Sequence, residues 1–405
     1  MNILLLTSVY PSPSDKNGTV TKVVQYFANE WVKMGHKVIV VHNTARYPAV
    51  VHMLPEPVRQ KLTAKLNFLI PPLKDVKEVF REENGVRIYK FPILKLQPHG
   101  GHPKSIIHKQ AQKIQETLLK ESFIPDIIMG HWMSPQIQLI DILKDVYHCR
   151  TSLVLHGRGY INDRRFDCKK YLKNLDALGC RSKAEAEFIK KGLGISSTPY
   201  ICYSGVPDSY LENCEYIDKF DKKPEVWRFI YVGRLVAYKH LENVLAALPH
   251  LENQNNKFEI IGSGNEESNL RKLTIELDID SKVSFRGQLP REEVLERMKQ
   301  SNCFVMISKG EVFGLVYLEA MANSCISIGS IGEGIDGVIV DGKNGILSKP
   351  ADTDDLVQTL NRVMRMGSKE LKAISYAGYQ TAQEFSDSNV AKKYLQDAME
   401  HDLVI

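Results

Sequence analysis

Apolar residues recur along this chain in two alternating rhythms. Short runs rich in Val, Ile and Leu predict β-strands at residues 2–9, 37–42, 86–91, 126–129, 151–155 and 175–180, and again at 228–232, 257–261, 282–286, 303–307 and 326–329. Between them the apolar positions keep a three-to-four spacing. Val20, Val23, Val24, Phe27, Trp31 and Val32, for example, line one helical face that stops near Gly35. Strands alternating with helices imply parallel sheets covered by helices, an α/β fold. The scheme runs twice, so two Rossmann-like, doubly wound domains are expected. Residues 1–207 make the first and 226–368 the second. The acidic, aperiodic stretch 208–225, which contains Pro224, reads as a linker, and 369–405 as a helical tail.

The chain of 405 residues has ample length for two cores. Its seven Cys are scattered, with no CxxC pair to suggest zinc or a redox dithiol, which fits a reducing cytoplasm. The apolar start, Met1 to Leu6, lacks a basic leader and reads as a first strand. No apolar run approaches the roughly 20 residues that cross a bilayer.

Charge is divided unevenly. Residues 1–200 carry 30 Lys+Arg against 17 Asp+Glu, a net +13, and residues 201–405 carry 23 against 31, a net −8. A basic first half suits an anionic partner such as a lipid surface, and equally a merely uneven surface. The proline-rich stretch 47–74 holds Val58, Leu62, Leu66 and Leu69 at helical spacing beside Arg59, Lys61 and Lys65. That piece either lies in a membrane interface or packs over the first domain. No basic motif interleaved with aromatics points to nucleic acid.

In open α/β sheets ligands bind beyond the carboxyl ends of the strands. Those positions hold Gly18-Thr19, His131, His156-Gly157-Arg158, Gly233-Arg234-Leu235 with Lys239, Gly262-Ser263-Gly264, Gly287-Gln288-Leu289 and Ser308-Lys309-Gly310-Glu311. Gly18 serves a tight turn or lets backbone N–H groups approach a phosphate. Arg234 and Lys239 clamp a diphosphate or sit in a solvated loop, and His131 and His156 bind a ligand or only their neighbours. Glu311 and Glu319 differ in kind. One lies in a loop and the other about two turns into the following helix, so both can accept from sugar or ribose hydroxyls. A carboxylate on an otherwise apolar stretch is costly without such a role.

In chain order, Gly18-Thr19, His131-Trp132, His156-Gly157, Gly233-Arg234-Leu235 to Lys239, Gly262-Ser263-Gly264, Val283 to Gly287 and the Glu-x7-Glu of Glu311 and Glu319 resemble the motifs of retaining glycosyltransferases of the GT-B fold, family four. The resemblance spans nearly the whole chain. It implies two Rossmann-like domains facing across a cleft. Arg234 and Lys239 would hold the donor diphosphate, Glu311 a donor-sugar hydroxyl and Glu319 the nucleotide ribose. Phe313, Gly314, Leu315 and Val316 would offer backbone contacts, and Leu289 would line the base. Gly233 and Gly262 would border the donor, Gly18 and Thr19 would approach it from the first domain, and His131 would touch the donor sugar. His156 and Arg158 would face the acceptor. Three positions depart from the family pattern: Thr19, His240 and the Asn323-Ser324 pair stand where glycine is usual.

The expected activity is retaining transfer of a sugar from a nucleotide diphosphate donor, UDP before GDP, to a saccharide acceptor, lipid-linked, in bacterial cell-surface polysaccharide or lipopolysaccharide synthesis. No cofactor and no metal are expected, and the site of action is cytoplasmic, at the inner face of the membrane. A sugar-nucleotide epimerase and a non-catalytic sugar-nucleotide sensor are the alternatives.

Overall fold

A computed structural model describes residues 1–13, 20–66, 76–96, 100–157, 159, 161 and 166–405. They form two compact units. The first comprises 1–181, 185–202 and 391–405, and the second 182–184 and 203–390.

The first unit holds strands β1 (Asn2–Thr7), β2 (Lys37–Arg46), β3 (Val79–Glu83), β4 (Val86–Leu94), β5 (Ile127–His131), β6 (Arg150–Val154), β7 (Ala177–Cys180) and β8 (Tyr200–Ile201). Their order across the sheet is β3-β4-β2-β1-β5-β6-β7-β8. All neighbours are parallel except the β3–β4 hairpin. Strands β1 and β5 are buried almost throughout, as unbroken apolar runs covered on both faces should be. Val23, Val24, Phe27, Ala28 and Trp31 of helix Val23–Lys33 face this core, and Gly35, at φ +86°, lies just past the helix end.

The second unit holds β9 (Trp227–Val232), β10 (Asn256–Ile261), β11 (Val283–Gly287), β12 (Cys303–Val305), β13 (Ile326–Ser330) and β14 (Ile346–Ser348), in the order β11-β10-β9-β12-β13-β14, all parallel. The stretch 208–225, read as a linker, belongs to this unit. Tyr210, Leu211, Cys214 and Phe220 are buried in its core, which explains the absence of a simple period there. The tail is shared. Helix Ser368–Glu384 packs in the second unit, whereas helix Asp387–Glu400 passes into the first from Ala391 onward. There the Arg150 guanidinium donates to the carbonyls of Ala398 and His401.

Apart from the edge hairpin β3–β4, each sheet reverses its strand order once, between β1 and β5 in the first and between β9 and β12 in the second. Such reversals leave a crevice at the carboxyl ends of the flanking strands. Among the described residues no helix is long and apolar enough to cross a membrane.

Candidate active site

In the second unit the reversal is lined by the loops after β9, β10 and β12. Those after β9, β10 and β11 are stitched together. Gly233 N–H donates to Ile261 O (3.0 Å), Leu235 N–H to Ser263 O (3.0 Å) and Gly262 N–H to Gly287 O (2.8 Å). A Cβ on Gly262 would lie 1.9 Å from Gly233 O, and one on Gly264 2.0 Å from Leu235 O, so neither position admits a side chain. The Tyr231 hydroxyl donates to Arg234 O (2.9 Å), bracing the loop from which the exposed Arg234 projects.

A short 3-10 turn, Ala237–Lys239, then carries Lys239 inward. Its ammonium forms an ion pair with the Glu311 carboxylate. The side chains are 10% and 15% exposed, so the pair is largely desolvated. Lys239 Nζ also lies 3.4 Å from Met306 Sδ. Glu311 is fixed through its backbone, its carbonyl accepting from Gly334 N–H (3.0 Å), while Glu333 accepts from Gly310 N–H (2.8 Å).

Beyond Glu311 the chain passes Phe313, whose ring is buried beside Tyr203, and turns at Gly314 (φ +86°) into helix Leu315–Ala322. A side chain at Gly314 would strike the Tyr317 ring. The first N–H groups of a helix have no partner inside it, so Leu315 and Val316 present a site of partial positive charge beside Glu311. Glu319, one turn on, does not join the Lys239–Glu311 pair. Its carboxylate accepts from Arg291 (3.0 Å), whose guanidinium lies over the Tyr210 ring at 4.8 Å. Burial raises the Glu319 pKa, and the Arg291 charge opposes that rise. Leu289, two residues before Arg291, packs part-buried against the core. Glu319 thus borders the segment after β11, and Glu311 borders the clamp.

In the first unit β5 ends at His131, which has no exposed surface. Both of its ring nitrogens are engaged, Nδ1 with His156 Nε2 (2.8 Å) and Nε2 with the Tyr394 hydroxyl (3.0 Å). Desolvation first, and Arg181 second, push its pKa down to about 3. His156, after β6, is part-buried and stacked on Trp132 at 4.1 Å; desolvation, Arg181 and His131 hold its pKa well below the usual value. His156 and Trp132 therefore form the accessible end of this chain of rings, and His131 and Tyr394 its buried end. Gly18, Thr19 and Arg158 lie outside the described residues.

Sequence reading missed Arg291, Tyr210, Tyr231 and Tyr394. Arg291 carried a signal, a cation just past the segment expected to line a base. Tyr394 carried none, since 263 residues separate it from His131.

Residues 213–381 match the family of glycosyl transferases group 1. The match lies within the second unit. An uncharacterised glycosyltransferase of Methanocaldococcus jannaschii is 26% identical to this chain over 340 residues, 80% of this chain and 90% of its own. Two solved structures share its fold. The lipopolysaccharide outer core galactosyltransferase WaaB superposes with a TM-score of 0.67 at 18% identity, over 98% of this chain and 99% of its own. Anabaena HepE in complex with UDP gives 0.64 at 14% identity, over 98% and 100%. The two parallel-sheet units have the GT-B fold.

Proposed function

We propose that this transferase moves a sugar from a nucleotide diphosphate donor, UDP-sugar before GDP-sugar, to a hydroxyl of a saccharide acceptor, with retention of anomeric configuration. The observation that carries this reading is the desolvated Lys239–Glu311 pair at the strand-order reversal of the second unit. Arg234 shares its loop, and the helix N-terminus at Leu315 and Val316 follows it in the chain.

As the glycosidic C–O bond breaks, the departing diphosphate gains negative charge and the sugar becomes oxocarbenium-like. Lys239, largely desolvated, together with the exposed Arg234 and the helix N–H groups stabilises the first. The diphosphate supplies Lys239 with a second anion, so Glu311 can take a hydrogen bond from a donor-sugar hydroxyl. Glu319 accepts from the ribose, with Leu289 on the side of the base. Protein cations perform the charge stabilisation, and the transfer needs no metal.

The UDP bound to HepE supports the choice of base, and the lipopolysaccharide substrate of WaaB supports a cell-surface saccharide as acceptor. The acceptor is lipid-linked and held by the basic first unit, near His156 and Arg158, with His131 bonded to His156. Transfer takes place in the cytoplasm, at the inner face of the membrane.

The test is product analysis with UDP-sugars and saccharide acceptors, with and without EDTA. UDP release that depends on acceptor, survives chelation and yields the donor's own anomer is the expected result. Altered sugar released without acceptor would make the protein an epimerase, and binding without turnover a sensor. Lys239→Ala should lose roughly a hundredfold in kcat, about 3 kcal/mol of barrier stabilisation.

A further inference from the structure

Helix Asp387–Glu400 carries Tyr394 into the first unit, where it joins a line of hydrogen-bonding groups that ends at His156. The Tyr394 hydroxyl lies 3.0 Å from His131 Nε2, and His131 Nδ1 lies 2.8 Å from His156 Nε2. In the other direction Tyr394 is hydrogen-bonded to the Tyr200 hydroxyl of β8, which lies 2.6 Å from Ser152 Oγ of β6.

Only the His156 end reaches the surface. Ser152 and His131 have no exposed surface and Tyr200 and Tyr394 almost none, whereas His156 is part-exposed. The Phe27 and Trp31 rings pack on Tyr394 at 4.9 and 5.3 Å, which keeps water from its hydroxyl. Burial, with Arg181, holds both imidazoles neutral at pH 7. Each ring then carries one proton and each bond has one donor, so the sense of any one bond fixes the others.

The chain can run in two senses. Inward, His156 Nε2–H donates to His131, His131 Nε2–H to Tyr394, Tyr394 to Tyr200 and Tyr200 to Ser152. The Ser152 proton is then buried without an acceptor among the described residues. Outward, Ser152 donates to Tyr200, Tyr200 to Tyr394, Tyr394 to His131 Nε2, and His131 Nδ1–H to His156 Nε2. Every buried proton then has an acceptor, and only an oxygen lone pair of Ser152 is left over, which is the less costly omission. The outward sense also matches a phenol, the most acidic hydroxyl present, with an imidazole nitrogen, the most basic acceptor. The chain therefore ends at His156 Nδ1–H. Trp132 fixes the plane of that ring, stacked on it at 4.1 Å from a backbone at φ +67°, an uncommon conformation for a bulky residue.

We propose that Tyr394 is a positioning residue for the acceptor saccharide. Through His131 it commits His156 to the Nδ1–H tautomer, so that His156 donates to an acceptor oxygen and leaves the proton of the acceptor hydroxyl in place. The role rests on the reading that the acceptor lies near His156, and the tautomer does not.

Nitrogen NMR of the full chain, isotope-labelled at histidine and assigned with His156→Gln, tests the tautomer. In the wild type His156 Nδ1 should resonate as a protonated nitrogen and Nε2 as a bare one. Tyr394→Phe removes the donor to His131 and should release His156 toward the Nε2–H form that free histidine prefers, drawing the two resonances together or exchanging them. Ser152→Ala takes a hydrogen bond from the same buried chain but leaves each remaining proton its acceptor, so His156 should not change. In Tyr394→Phe the KM for the acceptor should rise about tenfold while kcat stays within about twofold. A bare Nδ1 in the wild type, or resonances unmoved in Tyr394→Phe, overturns the proposal. So does a Ser152→Ala variant that shifts His156 as Tyr394→Phe does, since packing would then be the cause. A released tautomer with unchanged acceptor KM overturns the positioning role. Should the wild type turn over no saccharide, that role falls with the reading of the site, while the NMR result still decides the tautomer. Should Tyr394→Phe not fold, the wild-type resonances carry the test.

Discussion

Lys239 and Glu311 neutralise each other in a largely desolvated setting, so removing one strands the other. Lys239→Met should therefore cost about 2 kcal/mol of stability, less than a fully buried pair would. The double variant Lys239→Met/Glu311→Gln should recover most of that loss while transfer stays at least about a hundredfold slower. Denaturant unfolding and turnover measured on both variants check this; a double variant that regains activity would contradict the clamp. Glu319 behaves differently because its folded pKa is raised. The folded state then holds the proton more tightly than the unfolded state, so the favourable contribution is full below the unfolded pKa and is lost as pH rises through the folded value. Burial penalises the ionised carboxylate, a penalty that a ribose diol would relieve. Glu319→Gln should accordingly raise Tm at pH 7, leave it unchanged below about pH 4, and weaken nucleotide binding. A lower Tm at pH 7 would show that the Arg291 ion pair outweighs burial.

The loops at the strand ends work as one element because glycine lets their backbones touch. Gly262→Ala, at φ +134° and with its Cβ 1.9 Å from Gly233 O, should destabilise by about 3 kcal/mol and abolish donor binding. Normal stability by thermal denaturation would mean that the loops separate without cost. The same geometry accounts for two departures from the family pattern. His240 and Ser324 stand where glycine is usual, and both adopt positive φ, +51° and +62°. His240 bonds Glu242, and the Ser324 hydroxyl accepts from Ile217 N–H, so local bonds offset the strain.

Much of this element scale was legible. The strands that were expected lie within a few residues of their bounds because buried parallel strands are apolar runs, and the Glu-x7-Glu spacing marked the helix after β12; the three-residue β14 was not expected. The β3–β4 hairpin was missed although Asn84-Gly85, both at positive φ, is a readable turn. Strand β8, of two residues, left no pattern to read.

At the scale of the whole molecule, the part least legible was what folds with what. The supposed linker is core of the second unit, and the last helix serves the first. Both depend on contacts distant in sequence, such as Tyr394 to His131, that no local period encodes. The two units should also differ in acid. His42, His102 and His131 of the first unit have pKa values lowered to about 4, 4 and 3, and His156 is lowered as well. A lowered histidine pKa contributes stability that is present above the unfolded value, near 6.5, and is lost as pH falls toward the folded one. Hydrogen exchange between pH 6.5 and about 4 should therefore show the first unit opening before the second. Loss of the second unit first would contradict this.

The central claim is that the carboxyl edge of the second sheet grips the diphosphate of a nucleotide donor. Calorimetric titration of UDP into the wild type and Lys239→Ala addresses it most directly. The account predicts saturable binding that weakens about tenfold or more without the lysine. Equal affinity for the two proteins would contradict it.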